Sequence, residues 1–168
     1  MSSLKQQFWQ SKKLEIILVN ILLIILLILS LTSLTKQSIT LDEEKYFPVG
    51  RLIWANPNWD KDLADPYPTG FYHPPWIFYH PPLTFYINGL ASKILPTSND
   101  KTALNYARLM MQPLLIIFGL IIYLVTKKLY GRSIGLISLI LFMFNPEILA
   151  HAGIIGIDFT LSLTIFFI

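Results

Sequence analysis

Asp42 and Glu43 stand side by side about eight residues beyond a long apolar run, and they are the first groups in the chain suited to chemistry. A carboxylate beside a membrane can serve as general base toward a hydroxyl or amine acceptor. The pair has an equally good structural use. Thr40 followed three residues on by Glu43 has the form of a capping box, and acids favour the positive end of a helix. Asp158 falls inside an apolar run, where a charge at the membrane centre costs at least ~2.5–3.5 kcal/mol. Such a residue faces a cavity or a partner, and Glu147 and His151 fall at the same turn. His73, His80 and His151 have the right donors for a metal together with Asp42 or Asp158. Ligand spacing of the H-x-x-x-H kind is absent, and hydrogen bonding of the histidines to loop backbone is the plainer role. The planar guanidinium groups of Arg51 and Arg108 suit phosphate oxygens, and lipid headgroups suit them equally. Gly153-Ile154-Ile155-Gly156 reads as a helix-packing pair, not a phosphate-cradling loop.

The elements that must hold these groups are apolar. The 168 residues are 54% hydrophobic and 14% charged, against ~45–50% and ~25% in soluble chains, which excludes a disordered protein. The absence of cysteine excludes a disulfide scaffold and a thiolate metal site. Ile16 to Leu34 is long enough to cross a ~30 Å hydrocarbon core. It exceeds the ~7–15 apolar residues of a cleaved signal and has no small-residue cleavage site after it, so it reads as an uncleaved anchor. Leu109 to Thr126 forms a second span, with Gln112 and Pro113 tolerable where a neighbouring helix re-satisfies the backbone. Ser133 to Ala150 forms a third, and a fourth begins near Ala152 and is still apolar at Ile168.

Charge orients these spans. Lys5, Lys12 and Lys13 precede the first, and Lys127, Lys128 and Arg132 follow the second, both without acids beside them in those short segments. Basic short loops mark the cytoplasmic side. The segment between, residues 35–103, holds six basic and seven acidic residues and is expected to be extracytoplasmic. The net charge of +3 therefore records membrane orientation and gives no sign of nucleic-acid binding.

A loop of this length carries function or structure of its own. Leu41 to Trp54 predicts a short amphipathic helix, and Trp76 to Leu95 predicts a helix along the membrane surface, among Tyr67, Phe71, Tyr72, Phe78, Tyr79, Phe85 and Tyr86. Phe71-Tyr72-His73-Pro74-Pro75 recurs as Phe78-Tyr79-His80-Pro81-Pro82, a local echo in which one copy is central. The expected fold is an all-α membrane protein of about four transmembrane helices with a long extracytoplasmic first loop carrying short interfacial helices. Its parts are a cytoplasmic tail (1–13), helix one (14–34), the loop (35–103), helix two (104–126), a cytoplasmic loop (127–132), helix three (133–150) and a truncated helix four (151–168).

Leu41-Asp42-Glu43 opening the first outer loop, then His80-Pro81-Pro82-Leu83, resembles the polytopic lipid-dependent (GT-C type) glycosyltransferases, in particular the protein O-mannosyltransferases and the lipid A aminoarabinose transferases. Asn105-Tyr106-Ala107-Arg108-Leu109 entering the second span is similar to the same family, as is Phe144 to Ala152 followed by Asp158. The resemblance covers residues 16–168 through the order and spacing of its motifs. It implies the amino-terminal part of a longer integral plasma (inner) membrane enzyme with its active face outward. Such an enzyme moves a hexose or pentose from a polyprenyl-phosphate donor to a glycan, lipid or protein acceptor. Asp42 is then the catalytic base with Glu43 beside it, and Arg51, His80, Arg108, His151 and Asp158 shape the substrate and lipid-phosphate site. Partners are the lipid-linked sugar, the acceptor and membrane lipids, with no nucleic acid. No cofactor is certain, and a divalent cation is the one candidate. The alternative is a non-catalytic membrane protein or transporter fragment that binds a lipid carrier or a partner membrane protein.

Overall fold

The computed structural model describes residues 12–34, 36–55 and 83–165, and among these every regular element is an α-helix. The leucine–isoleucine run forms α1 (Lys12–Leu34), and α4 (Asp100–Tyr130) lies antiparallel to it. The pairing follows from their contacts: Glu15 meets Tyr123, Ser30 meets Gln112, and the Leu34 carbonyl meets Arg108. Ile16, Ile17, Ile24 and Ile28 on the far side of α1 are more than half exposed, the surface expected of a helix in lipid. These two helices are long and apolar enough to cross a membrane.

α4 is longer than the expected span at both ends. Its 31 residues rise roughly 46 Å, more than the hydrocarbon thickness. Apolarity marks only the part of a helix that meets lipid, whereas the hydrogen-bond ladder continues through polar residues. The start is fixed by Asn99, whose side chain accepts from the Thr102 N–H. The end is fixed by Gly131 at φ 91°, a left-handed conformation that glycine adopts readily, and its N–H donates to the Lys127 carbonyl. Lys127 and Lys128 thus belong to the helix, and Gly131 alone separates α4 from α5 (Arg132–Met143).

The two short helices expected in the long loop are α2 (Leu41–Ala55) and α3 (Leu83–Ile94). The stretch from 76 to 82, with the prolines and His80, lies outside the described residues, as does His73. α2 and α3 cross at two glycines. A Cβ on Gly89 would lie 1.9 Å from the Gly50 carbonyl oxygen, and one on Gly50 would lie 1.8 Å from Asn88 Oδ1. Only hydrogen fits at either position.

The third apolar run departs from expectation. It is bent by 64° between α5 and α6 (Pro146–Ala152), so the expected continuous helix 133–150 is two pieces. Phe144 caps the end of α5, and Asn145 caps the start of α6, accepting from the N–H groups of Glu147 and Ile148, while Pro146 supplies the fixed φ of a first helical turn. α5 alone rises roughly 18 Å, too little to cross. Counting the bent pair as one span gives three candidate spans among the described residues, not four. α7 (Ile157–Ile165) covers nine residues of the fourth run.

Three apolar clusters follow one another along α4. Leu104 and Ala107 pack with Tyr46, Val49, Phe85 and Ile155 at the loop end. Leu115 and Phe118 pack with Leu26, Phe142 and Phe159 in the middle. Tyr123 packs with Val19, Leu136 and Leu139 at the other end. Polar ties also cross between the helices. Ser30 donates to Gln112, whose amide donates to the Ala152 carbonyl, and Thr84 donates to Thr160. The first of these is how a glutamine is accommodated inside a span.

Candidate functional site

The loop end is organised by one buried ion pair. Glu43 and Arg108 are almost fully buried, and Arg108 Nη2 lies 2.7 Å from Glu43 Oε2 with Nε 2.7 Å from Oε1. The two donors of Nη1 reach the carbonyls of Leu34 and Gln37, and the second of Nη2 reaches Ser38. All five guanidinium N–H groups are therefore used. Glu43 also accepts from the Thr40 N–H and hydroxyl and from the Ile155 N–H at 3.2 Å. The expected capping box is present, since Thr40 Oγ1 in turn accepts from the Glu43 N–H. Burial by itself pushes the Glu43 carboxyl up. The Arg108 hydrogen bonds, the Thr40 and Ile155 N–H groups and the Arg108 charge outweigh it and hold the carboxyl below the usual range.

In this pair all five Arg108 donors and both Glu43 oxygens are engaged within the protein. Their work is to join α2, α4, the 36–40 segment and the α6–α7 connection at a single point. What that point holds in place is the rest of the site. Asp42, exposed in the first turn of α2, faces the same cavity as His151 of α6 and Asp158 in the first turn of α7. The cavity encloses about 280 Å³ and is completed by Thr40, Leu41, Ile154, Gly156 and Phe159. Asp42 adjoins Glu43 in the chain, and Asp158 lies three residues beyond Ile155, so the Glu43–Ile155 hydrogen bond positions both carboxylates at once.

Tyr46 is a neighbour of these carboxylates that the motifs did not single out, and it is not among the residues lining the cavity. It is buried against Phe85, with ring centroids 5.5 Å apart. Burial first, then the negative charges of Asp42 and Asp158, push its phenol up, so one hydroxyl senses both carboxylates and stays protonated at neutral pH. The available signal was its position four residues after Asp42 on one helix face.

Arg51 lies elsewhere. It pairs with Asp100 at 3.1 Å and lines a larger cavity of about 660 Å³ with Lys36 and Lys101, which Glu43 and Arg108 also border. His80 lies outside the described residues. Asp42, His151 and Asp158 offer donors of the right type for a divalent ion. Among the described residues, though, no three histidine, aspartate or glutamate groups assemble closely enough to share one.

At the opposite end, the two basic segments meet. Glu15, buried in the first turns of α1, pairs with Lys127 and, at 2.8 Å, with Arg132, and accepts from the Tyr123 hydroxyl. Lys12 and Lys13 are therefore at the same end of the bundle as Lys127, Lys128 and Arg132, as a two-span hairpin requires. In the sequence Glu15 is one acid beside two lysines, and nothing local marks it as the centre of this cluster. Comparison of the chain with family models, curated proteins and solved structures finds no match.

Proposed function

We propose that this chain carries the acceptor-activating site of an integral-membrane glycosyltransferase that uses a polyprenyl-phosphate-linked sugar on the extracytoplasmic face. Asp42 takes the proton from an acceptor hydroxyl or amine as that atom attacks the anomeric carbon. The bond from that carbon to the phosphate oxygen breaks, its electrons leave with polyprenyl phosphate, and the configuration inverts. The reading rests on the meeting of Asp42, His151 and Asp158, from three separate elements, at one cavity. Asp42 is exposed and outside the ion pair that occupies its neighbour, which suits a base that must reach an incoming group. His151 and Asp158 orient the acceptor. With Arg108 fully bonded, the groups left for a phosphate are Lys36, Arg51 and Lys101 around the larger cavity.

The test is transfer in membranes containing the full chain, with polyprenyl-phosphate mannose or aminoarabinose labelled in the sugar. Release of polyprenyl phosphate is the readout. Asp42→Asn is expected to slow it by about 10²–10⁴-fold, the usual contribution of a general base, without loss of expressed protein. Normal turnover by that variant sinks the base assignment. Failure of the parent protein to consume either donor sinks the choice of donor class.

A further inference from the structure

The basic end holds a second site, unrelated to the first. Residues of α1 and α4 line a groove of about 470 Å³ there. Ile16 and Val19 of α1 and Leu120 and Leu124 of α4 form its walls, and the walls open toward the lipid side, where Ile16 is 60% and Leu124 50% exposed. The mouth is polar. Lys12, Lys127 and Arg132 line it, and Glu15 is the one acid among them. Glu15 is 6% exposed, whereas the Lys127 side chain is 41% exposed, so the negative charge lies beneath and the positive charge faces outward. Three cations against one carboxylate leave a surplus of two positive charges. Glu15 fixes the Lys127 and Arg132 head groups at the rim and leaves part of each accessible.

We infer that this groove binds an anionic phospholipid of the adjoining leaflet, its phosphate at Lys12, Lys127 and Arg132 and the upper part of an acyl chain along Ile16, Val19, Leu120 and Leu124. A basic mouth above apolar walls between two membrane helices has the two chemistries of such a lipid in the right order. A soluble anion would use only the mouth, and a neutral lipid only the walls.

The experiment uses the full chain purified in neutral detergent, with lipid retention read by native mass spectrometry. Phosphatidylglycerol is expected to be retained about tenfold or more over phosphatidylcholine, and Lys12→Gln and Lys127→Gln each to reduce that preference by about fivefold. Lys12 is exposed and outside the Glu15 cluster, so its variant carries the test even if Lys127→Gln fails to fold. Equal retention of the two lipids overturns the proposal, as does an unchanged preference in Lys12→Gln. Displacement of phosphatidylglycerol by millimolar inorganic phosphate assigns the mouth to a soluble anion and overturns it too. Loss of retention in Lys36→Gln/Lys101→Gln with retention kept in Lys12→Gln puts the lipid at the other end and likewise refutes the proposal.

Discussion

Adjacent acids in this chain have opposite fates, and the difference lies in which way each faces from the first turn of α2. Glu43 points inward and is completely consumed by Arg108, Thr40 and Ile155, while Asp42 points to a cavity shared with Asp158. Removing one partner of a buried pair strands the other charge, so Glu43→Gln and Arg108→Met are each expected to cost about 3–5 kcal/mol. Glu43→Leu/Arg108→Met should lose less than the sum, its remaining cost being the carbonyls of Leu34, Gln37 and Ser38 left without Arg108. Thermal unfolding in detergent measures this, and an Arg108→Met protein that melts like the parent refutes it. Because the folded Glu43 carboxyl titrates below its unfolded value, its contribution is complete above the ordinary carboxylate pKa of about 4.3 and is lost as pH falls through the lower, folded value. The melting temperature should therefore drop on acidification below that range in the parent and less steeply in Glu43→Gln. The capping box was legible in the sequence because it is local. The Arg108 partnership was not, since nothing in the spacing of residues 43 and 108 specifies that two distant helices meet there.

At the scale of elements, backbone approach distances decide which helices can pack. α2 and α3 cross where the Gly50 and Gly89 backbones touch, and Gly89→Ala puts a methyl into the Gly50 carbonyl. Backbone cannot move aside as a side-chain tip can, so overpacking of about 1–3 kcal/mol is expected, read as a lowered melting temperature. An unshifted melt would mean that the two helices separate freely. Gly135 has a similar role between α5 and α4, where an added Cβ would approach Lys127 Cβ at 3.0 Å and the Tyr123 carbonyl at 3.1 Å. Helix existence was readable from apolar length and caps, as for α1 and α2. The break at Asn145-Pro146 was visible as residues but hidden by composition, because a hydropathy run stays apolar through a 64° turn. A cap followed by proline is a local stop and restart, and it outweighs the apolarity on either side.

For the whole molecule, Lys127 and Arg132 meet Glu15 at the end of the bundle that also holds Lys12 and Lys13, and charge places both basic segments on one membrane side. Which side that is follows from charge bias alone and is open to a direct test. The chain has no cysteine, so single substitutions report without background. A cysteine at the exposed Ser98 should react with an impermeant maleimide in cells with a permeabilised outer envelope, and one at the exposed Lys128 only after the inner membrane is opened. The reverse pattern overturns the orientation, and with it the extracytoplasmic position of Asp42. Asp42, His151 and Asp158 come from three separate segments and line one cavity. Their cavity required the tertiary ties of Glu43, which no run length encodes.

The Glu15 clamp also dictates an order of events during synthesis. Its partners Tyr123, Lys127 and Arg132 are made more than a hundred residues later. At ~5–20 residues per second, that is a delay of roughly 5–20 s. Throughout it, the first helix must keep an unpaired carboxylate at the edge of the bilayer, within reach of water. Only when α4 and the turn at Gly131 arrive does that carboxylate acquire its cations. α1 is thus made well before it is locked to α4, and a nascent chain halted before residue 123 has α1 but no closed hairpin.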